Sequence, residues 1–74
     1  MGKGQAQIAN TIRTLRFNAS EMTQAALAEK VGVTRQTIVA IEQGRYSPSL
    51  EVAFRIAAAF GTPLEEVFQW TGNE

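Results

Sequence analysis

No cysteine and no histidine occur among the 74 residues. Without cysteine there is no disulfide framework, and without either residue the usual ligands of a structural zinc site are missing. The same two absences remove the commonest proton shuttle and the thiol nucleophile. Only Glu, Lys, Tyr and hydroxyl side chains remain for chemistry, and no two of them form a recognisable acid/base pair. The sequence therefore predicts a protein that is not an enzyme and carries no metal and no cofactor. Long apolar runs are lacking too. Nothing approaches the roughly 20 residues that a membrane-spanning helix needs, and residues 1–7 hold one lysine with no apolar stretch behind it, unlike a secretory signal. The expectation is a cytoplasmic protein with no membrane association.

What is present suits one small folded domain spanning residues 1–74. The hydrophobic fraction of 45% is that of a folded chain rather than a disordered one. A chain of this size buries only about 60% of its unfolded surface, so its stability must come from efficient helix packing or from a second copy of itself. Seven basic and seven acidic residues cancel, but unevenly along the chain. Residues 1–50 carry Lys3, Arg13, Arg16, Lys30, Arg35 and Arg45 against Glu21, Glu29 and Glu42, a net of +3. Residues 51–74 carry Arg55 against Glu51, Glu65, Glu66 and Glu74, a net of −3. Such asymmetry points to a polyanionic partner at one end only.

Apolar residues recur at helical spacing and almost nothing alternates with a strand period, so the expected fold is all-α with five helices. Ile8, Ile12 and Leu15 form the stripe of a first helix from about Gln5 to Phe17, broken at Asn18-Ala19-Ser20. Thr23 precedes the strong helix formers Gln24 to Lys30 as an N-cap. Gly32 offers a sharp turn, and Thr34 caps a third helix running to Glu42 with Ile38 and Ile41 inward. Ser49 caps a fourth helix with Leu50, Ala53, Phe54, Ala57 and Phe60 on one side, stopped by Gly61. Thr62-Pro63-Leu64-Glu65 reads as a hydroxyl cap opening a fifth helix that ends near Gln69 or Trp70, with residues 71–74 extended or frayed.

Two short helices joined by a three-residue turn with a central glycine form a helix-turn-helix pattern at residues 24–43. The helices cross steeply and touch near the turn, which demands a small residue (Ala28) and a turn glycine four positions later (Gly32). Leu27, Val31, Val33, Ile38 and Ile41 supply the apolar anchors. With these slots filled, the sequence resembles the phage Cro/repressor-type (Xre-like) helix-turn-helix regulators. The resemblance is carried by Met22-Thr23-Gln24, Leu27-Ala28, Val31-Gly32-Val33, Thr34-Arg35-Gln36-Thr37-Ile38 and Ile41-Glu42-Gln43-Gly44-Arg45. It continues through Tyr46 to Leu50, Ile56-Ala57 and Gly61 to Phe68, and its closing run is most like that of the short single-domain members. The resemblance implies a compact lambda-repressor-like five-helix fold, sequence-specific operator binding and, commonly, a homodimer. One departure touches stability alone. Ala26 stands where many relatives have a glutamate completing a capping box with Thr23, at a cost of up to about 1 kcal/mol.

The residue chemistry of the third helix agrees with that reading. A recognition helix puts its N-terminal residues on base edges. Arg35 can grip guanine O6 and N7, and Gln36 adenine N6 and N7. Thr37 and Ala40 let the backbone approach and offer methyl groups to thymine. Val39, off the Ile38/Ile41 face, either meets a thymine methyl or covers a seam with another helix. The resemblance places Gln24 against a phosphate at the start of the second helix and Arg45, Tyr46 and Ser47 along the DNA backbone, and Thr34 is a further phosphate candidate. Arg13 and Arg16, on the polar side of the first helix, are further phosphate candidates, and Glu42 is expected to pair with an arginine. Phe60, Leu64, Val67, Phe68 and Trp70 crowd residues 60–71, which are the expected dimerisation segment. The expected function is a double-stranded-DNA-binding transcriptional regulator, a repressor on a palindromic operator. The alternative is a protein-interaction module, such as an antitoxin that binds a cognate toxin.

Overall fold

Hydroxyl side chains set where three of the helices begin. In the computed structural model, which describes residues 7–72, Thr23 Oγ1 accepts from the Ala26 N–H at 3.0 Å and starts α2 (Gln24–Val31). Thr34 Oγ1 accepts from Thr37 N–H at 3.1 Å ahead of α3 (Arg35–Glu42), and Ser49 Oγ from Val52 N–H at 3.2 Å ahead of α4 (Leu50–Phe60). Each bond satisfies an amide that has no partner inside its helix. Thr23 does this without the capping-box glutamate. The remaining elements are β1 (Ile8–Asn10), α1 (Ile12–Asn18), α5 (Leu64–Val67) and β2 (Phe68–Trp70).

The two short strands correct the all-α expectation. β1 and β2 pair antiparallel, with Ile8 opposite Trp70, Ala9 opposite Gln69 and Asn10 opposite Phe68. The first helix therefore starts at Ile12 rather than near Gln5; residues 5 and 6 of that expected helix, and residues 73 and 74, lie outside the described residues. The backbone groups that would have built the extra turn are spent elsewhere. Thr11 N–H donates to the Val67 carbonyl at 2.9 Å and its hydroxyl to the Glu66 carbonyl at 2.6 Å. Asn10 Oδ1 accepts from Ile12 N–H at 3.1 Å and opens α1 in place of a longer helix. Its Nδ2 donates to the Ile41 carbonyl at 3.0 Å, which ties the sheet to the end of α3. For the same reason α5 stops at Val67, short of the expected Gln69 or Trp70.

The core gathers Ile12, Leu27, Ala28, Val31, Ile38, Ile41, Ile56, Ala57 and Val67 from all five helices. The helix-turn-helix anchors fall as expected, with Val33 packed against the cluster from the turn. Gly32 sits at φ 87°, a left-handed conformation that costs any side chain energy, and its N–H returns to the Ala28 carbonyl at 2.8 Å. Arg55 Nη1 donates to the Val31 carbonyl at 3.1 Å and would lie 3.2 Å from a Cβ at position 32. On α4 the inward face is Ala53, Ile56 and Ala57 with Phe60 packed against the core; of the expected stripe only Leu50 and Phe54, 69% and 54% exposed, face away from it. Phe54 stands about 100° around the helix from Ala53, on the solvent side.

Thr62 departs from its expected role as a cap. Its N–H closes the end of α4 by donating to the Ala57 carbonyl at 3.1 Å, next to Gly61 in the left-handed region. Pro63 then occupies the N-cap position of α5 with no side-chain bond, and Thr62 Oγ1 is buried without a partner among the described residues. A buried hydroxyl that makes no hydrogen bond costs about 1–3 kcal/mol. Thr62→Val, equal in shape and free of the hydroxyl, is expected to stabilise the fold by about 1 kcal/mol in urea unfolding. An unchanged or lower midpoint would mean that the hydroxyl is satisfied.

Candidate nucleic-acid interface

The outward face of α3 follows from its period. Ile38 and Ile41 point into the core, which leaves Arg35, Gln36 and the half-buried Val39 and Ala40 on the opposite side. Arg35 and Gln36 are exposed at the N-terminal end. Thr37 is half-buried, and its hydroxyl pairs with that of Thr34 at 3.0 Å, so both hydroxyls already have a local partner. Val39 is neither core nor free surface.

A chain of polar contacts runs from beneath this face to its edge. Arg16 Nε donates to Glu42 Oε2 at 2.7 Å and Arg16 Nη2 to Glu42 Oε1 at 3.1 Å, with side chains only 15% and 10% exposed. Arg16 Nη1 donates to the Met22 carbonyl at 2.9 Å. Every nitrogen of that guanidinium is thus engaged within the fold. Three of its five N–H groups are used in this way, so Arg16 serves first as the brace between α1, α3 and the segment leading into α2, and Glu42 has the arginine partner that its position suggested. Gln24 Nε2 donates to Glu42 Oε1 at 3.2 Å, and Gln24 Oε1 accepts from Arg35 Nη2 at 3.3 Å. Gln24 and Arg35 are thereby brought side by side.

Other expected contacts arrange themselves around this chain. Arg13 is exposed and borders the same cleft as Asn10, Gln24, Glu42 and Gln43. Arg45 is exposed and donates from Nε to Gln43 Oε1 at 2.8 Å. Tyr46 and Ser47 are exposed in the loop after α3, where they border a crevice with Ile8, Asn10 and Phe68 of the sheet. Gln43, at the C-cap of α3, also borders the cleft beside Arg13. It is exposed seven residues after Gln36, on the side of α3 that carries Gln36 and Ala40.

The expected dimerisation segment divides. Val67 is wholly buried in the core, since it completes the packing of Ile12 and Ile56, and it cannot belong to a surface. Phe60, Leu64 and Phe68 are half-buried against that core, while Trp70 is 61% exposed. The small core has room for two of the three aromatics and leaves the third outside.

A helix-turn-helix bundle with this exposed α3 face defines a class, and comparison with known proteins agrees. Residues 12–67 match the helix-turn-helix family model, and the chain belongs to that family, with Cro/repressor-type relatives. It is 53% identical over 53 residues to an HTH-type transcriptional regulator of Methanocaldococcus jannaschii, itself uncharacterized, covering 72% of this chain and 80% of that one. It is 46% identical over 65 residues to the HTH-type transcriptional regulator YgzD of Bacillus subtilis, also uncharacterized, covering 88% and 96%. The cryptic phage CTXphi transcriptional repressor RstR of Vibrio cholerae is 36% identical over 56 residues, covering 76% and 50%. The fold matches the crystal structure of a Bacteroides fragilis protein with a TM-score of 0.73 at 21% identity, covering 84% of this chain and 98% of that one.

The Arg16–Glu42 pair makes a direct prediction. Removing one partner of a largely buried pair leaves the other charge uncompensated, so Arg16→Met is expected to cost about 2–4 kcal/mol by chemical denaturation. The double variant Arg16→Met/Glu42→Leu should recover most of that loss. By contrast, Glu51→Ala, at the exposed i,i+4 pair with Arg55, should change stability by less than about 0.5 kcal/mol.

Proposed function

We propose that this protein binds double-stranded DNA sequence-specifically as a transcriptional regulator, with α3 in the major groove. The observation that carries this reading is the exposed pair Arg35 and Gln36 at the N-terminal end of α3, backed by Gln24 from the start of α2. Arg35 reads a guanine and Gln36 an adenine, while Thr37, Val39 and Ala40 bring the helix close and offer apolar contact to thymine. Gln24, Arg13, Thr34, Arg45, Tyr46 and Ser47 hold the phosphates. The relatives' names as transcriptional regulators support the assignment, and the name of RstR favours repression by occluding a promoter.

The active species in this reading is a homodimer on a palindromic operator, with half-sites about 34 Å apart or a multiple of that. Trp70, with the outer edges of Phe60, Leu64 and Phe68, supplies the self-association surface. The charge layout supports a second copy as its occupant. A net of zero is unusual for a DNA-binding domain, and two copies double the basic contacts while the acidic residues 51–74 stay away from the DNA. The second reading, a protein-interaction module such as an antitoxin, is favoured by Leu50 and Phe54, two large apolar side chains exposed on α4.

Selection of bound sequences from random duplexes at two salt concentrations tests the first reading. The expected result is a palindromic consensus whose affinity falls steeply with salt. Arg35→Ala should weaken binding by about 1–3 kcal/mol and relax one base position in each half-site. No enrichment at low salt would leave the protein-interaction reading. Sedimentation at micromolar concentration is expected to give twice the 8.1 kDa chain mass, shifting to the monomer in Trp70→Ser. A wild-type monomer without DNA would remove the preformed dimer.

A further inference from the structure

Glu42 lies seven residues after Arg35, on the same edge of α3, yet the two do not touch directly. Gln24 stands between them, donating from Nε2 to Glu42 Oε1 at 3.2 Å and accepting at Oε1 from Arg35 Nη2 at 3.3 Å. A carboxylate can only accept and a guanidinium can only donate. An amide bridging the two therefore has one orientation open to it, with its NH2 group on Glu42 and its oxygen on Arg35. A neutral amide at position 42 offers one oxygen where the carboxylate offers two, while Arg16 Nε, Arg16 Nη2 and Gln24 Nε2 all donate there. Whichever way that amide turns, its NH2 group faces a donor of Arg16, and where it faces Gln24 as well it forces Gln24 to turn its own NH2 group toward Arg35, donor against donor.

The geometry points to Glu42 as a specificity-determining positioning residue: through the fixed polarity of Gln24 it holds Arg35 in the orientation from which Arg35 reads its base. This inference rests on the DNA-binding reading above and adds a residue that never meets the DNA, since Glu42 is only 10% exposed and both of its oxygens are engaged. The donor inventory allows the relay and the DNA contacts together. Arg35 has five N–H groups and spends one on Gln24, while a guanine needs two. The Gln24 NH2 group has two hydrogens and spends one on Glu42, which leaves one for a phosphate. Holding a long, exposed arginine before it meets DNA avoids an ordering cost equivalent to about 2- to 10-fold in affinity. That advantage is realised only when the base opposite Arg35 is the one its fork fits.

Two variants separate positioning from simple support. Glu42→Gln removes one of the two acceptor oxygens on which Arg16 and Gln24 are held. Gln24→Met removes both of its hydrogen bonds while leaving the Arg16–Glu42 pair in place, so it remains informative even if Glu42→Gln folds poorly. Affinities are measured for the selected duplex and for its three substitutions at the base pair that Arg35→Ala identifies. Each variant is expected to lose about 2- to 10-fold of the preference at that pair, with preferences at the other positions unchanged within about twofold. The double variant should lose no more of that preference than either single one. In the DNA-free protein, side-chain 15N relaxation should report a more ordered Arg35 Nε in the wild type than in either variant. A purely structural role for Glu42 predicts instead that every duplex weakens by the same factor, and unchanged base ratios in Gln24→Met would overturn the proposal. If the wild type selects no sequence, the DNA-binding reading falls and takes this one with it. If it selects a sequence that both variants read with wild-type preference, this proposal alone falls.

Discussion

The steep crossing of α2 and α3 is the constraint from which the rest of the molecule follows. Two helices can meet so close to the turn that joins them only if the side chain at the crossing is small and the turn residue takes a left-handed conformation. Ala28 and Gly32, at φ 87°, meet both conditions. Once the crossing is fixed, Ile38 and Ile41 must point inward and Arg35 and Gln36 outward. The core under the crossing is then closed by Ile12, Ile56 and Val67 from three other helices. Exposure of the Arg35 and Gln36 face is therefore a result of packing behind it.

Below that face the polar groups form a connected set rather than scattered pairs. Arg16 braces three segments at once, and Glu42 couples the brace to Gln24 and so to Arg35. Such a set is costly to disturb at its buried end, where losing Arg16 or Glu42 leaves the other charge unpaired in a poorly solvated place. It also means that the residues under the surface have a say in how the surface side chains stand.

Much of this was legible in the sequence because local rules wrote it. The caps at Thr23, Thr34 and Ser49, the Gly32 turn and the anchors from Leu27 to Ile41 each depend on neighbours within a turn or two, and all hold. What was not legible depended on partners far along the chain. Ile8-Ala9-Asn10 could complete a helical stripe, and only the presence of Phe68-Gln69-Trp70 alongside turns it into a strand. Thr62 looked like a cap because Pro63 and Glu65 follow it, but the end of α4 claimed its amide first. Arg16 read as a surface charge because nothing nearby in sequence announces Glu42. Leu50 and Phe54 read as core because spacing alone cannot say which side of an apolar helix the rest of the fold will cover.

The sheet couples the two margins of the fold in time as well as in space. Ile8 faces Trp70 across nearly the whole described chain, so β1 has no partner until almost everything between them has been made. Closing so long a loop is slow compared with forming the helical hairpins inside it. The contacts between α2 and α3, which are neighbours in sequence, can therefore form before the strands meet. Asn10, which reaches the Ile41 carbonyl at the end of α3, takes its place only when they do. α3 would thus form before it is fastened, and the meeting of β1 with β2 would be the step that locks its far end.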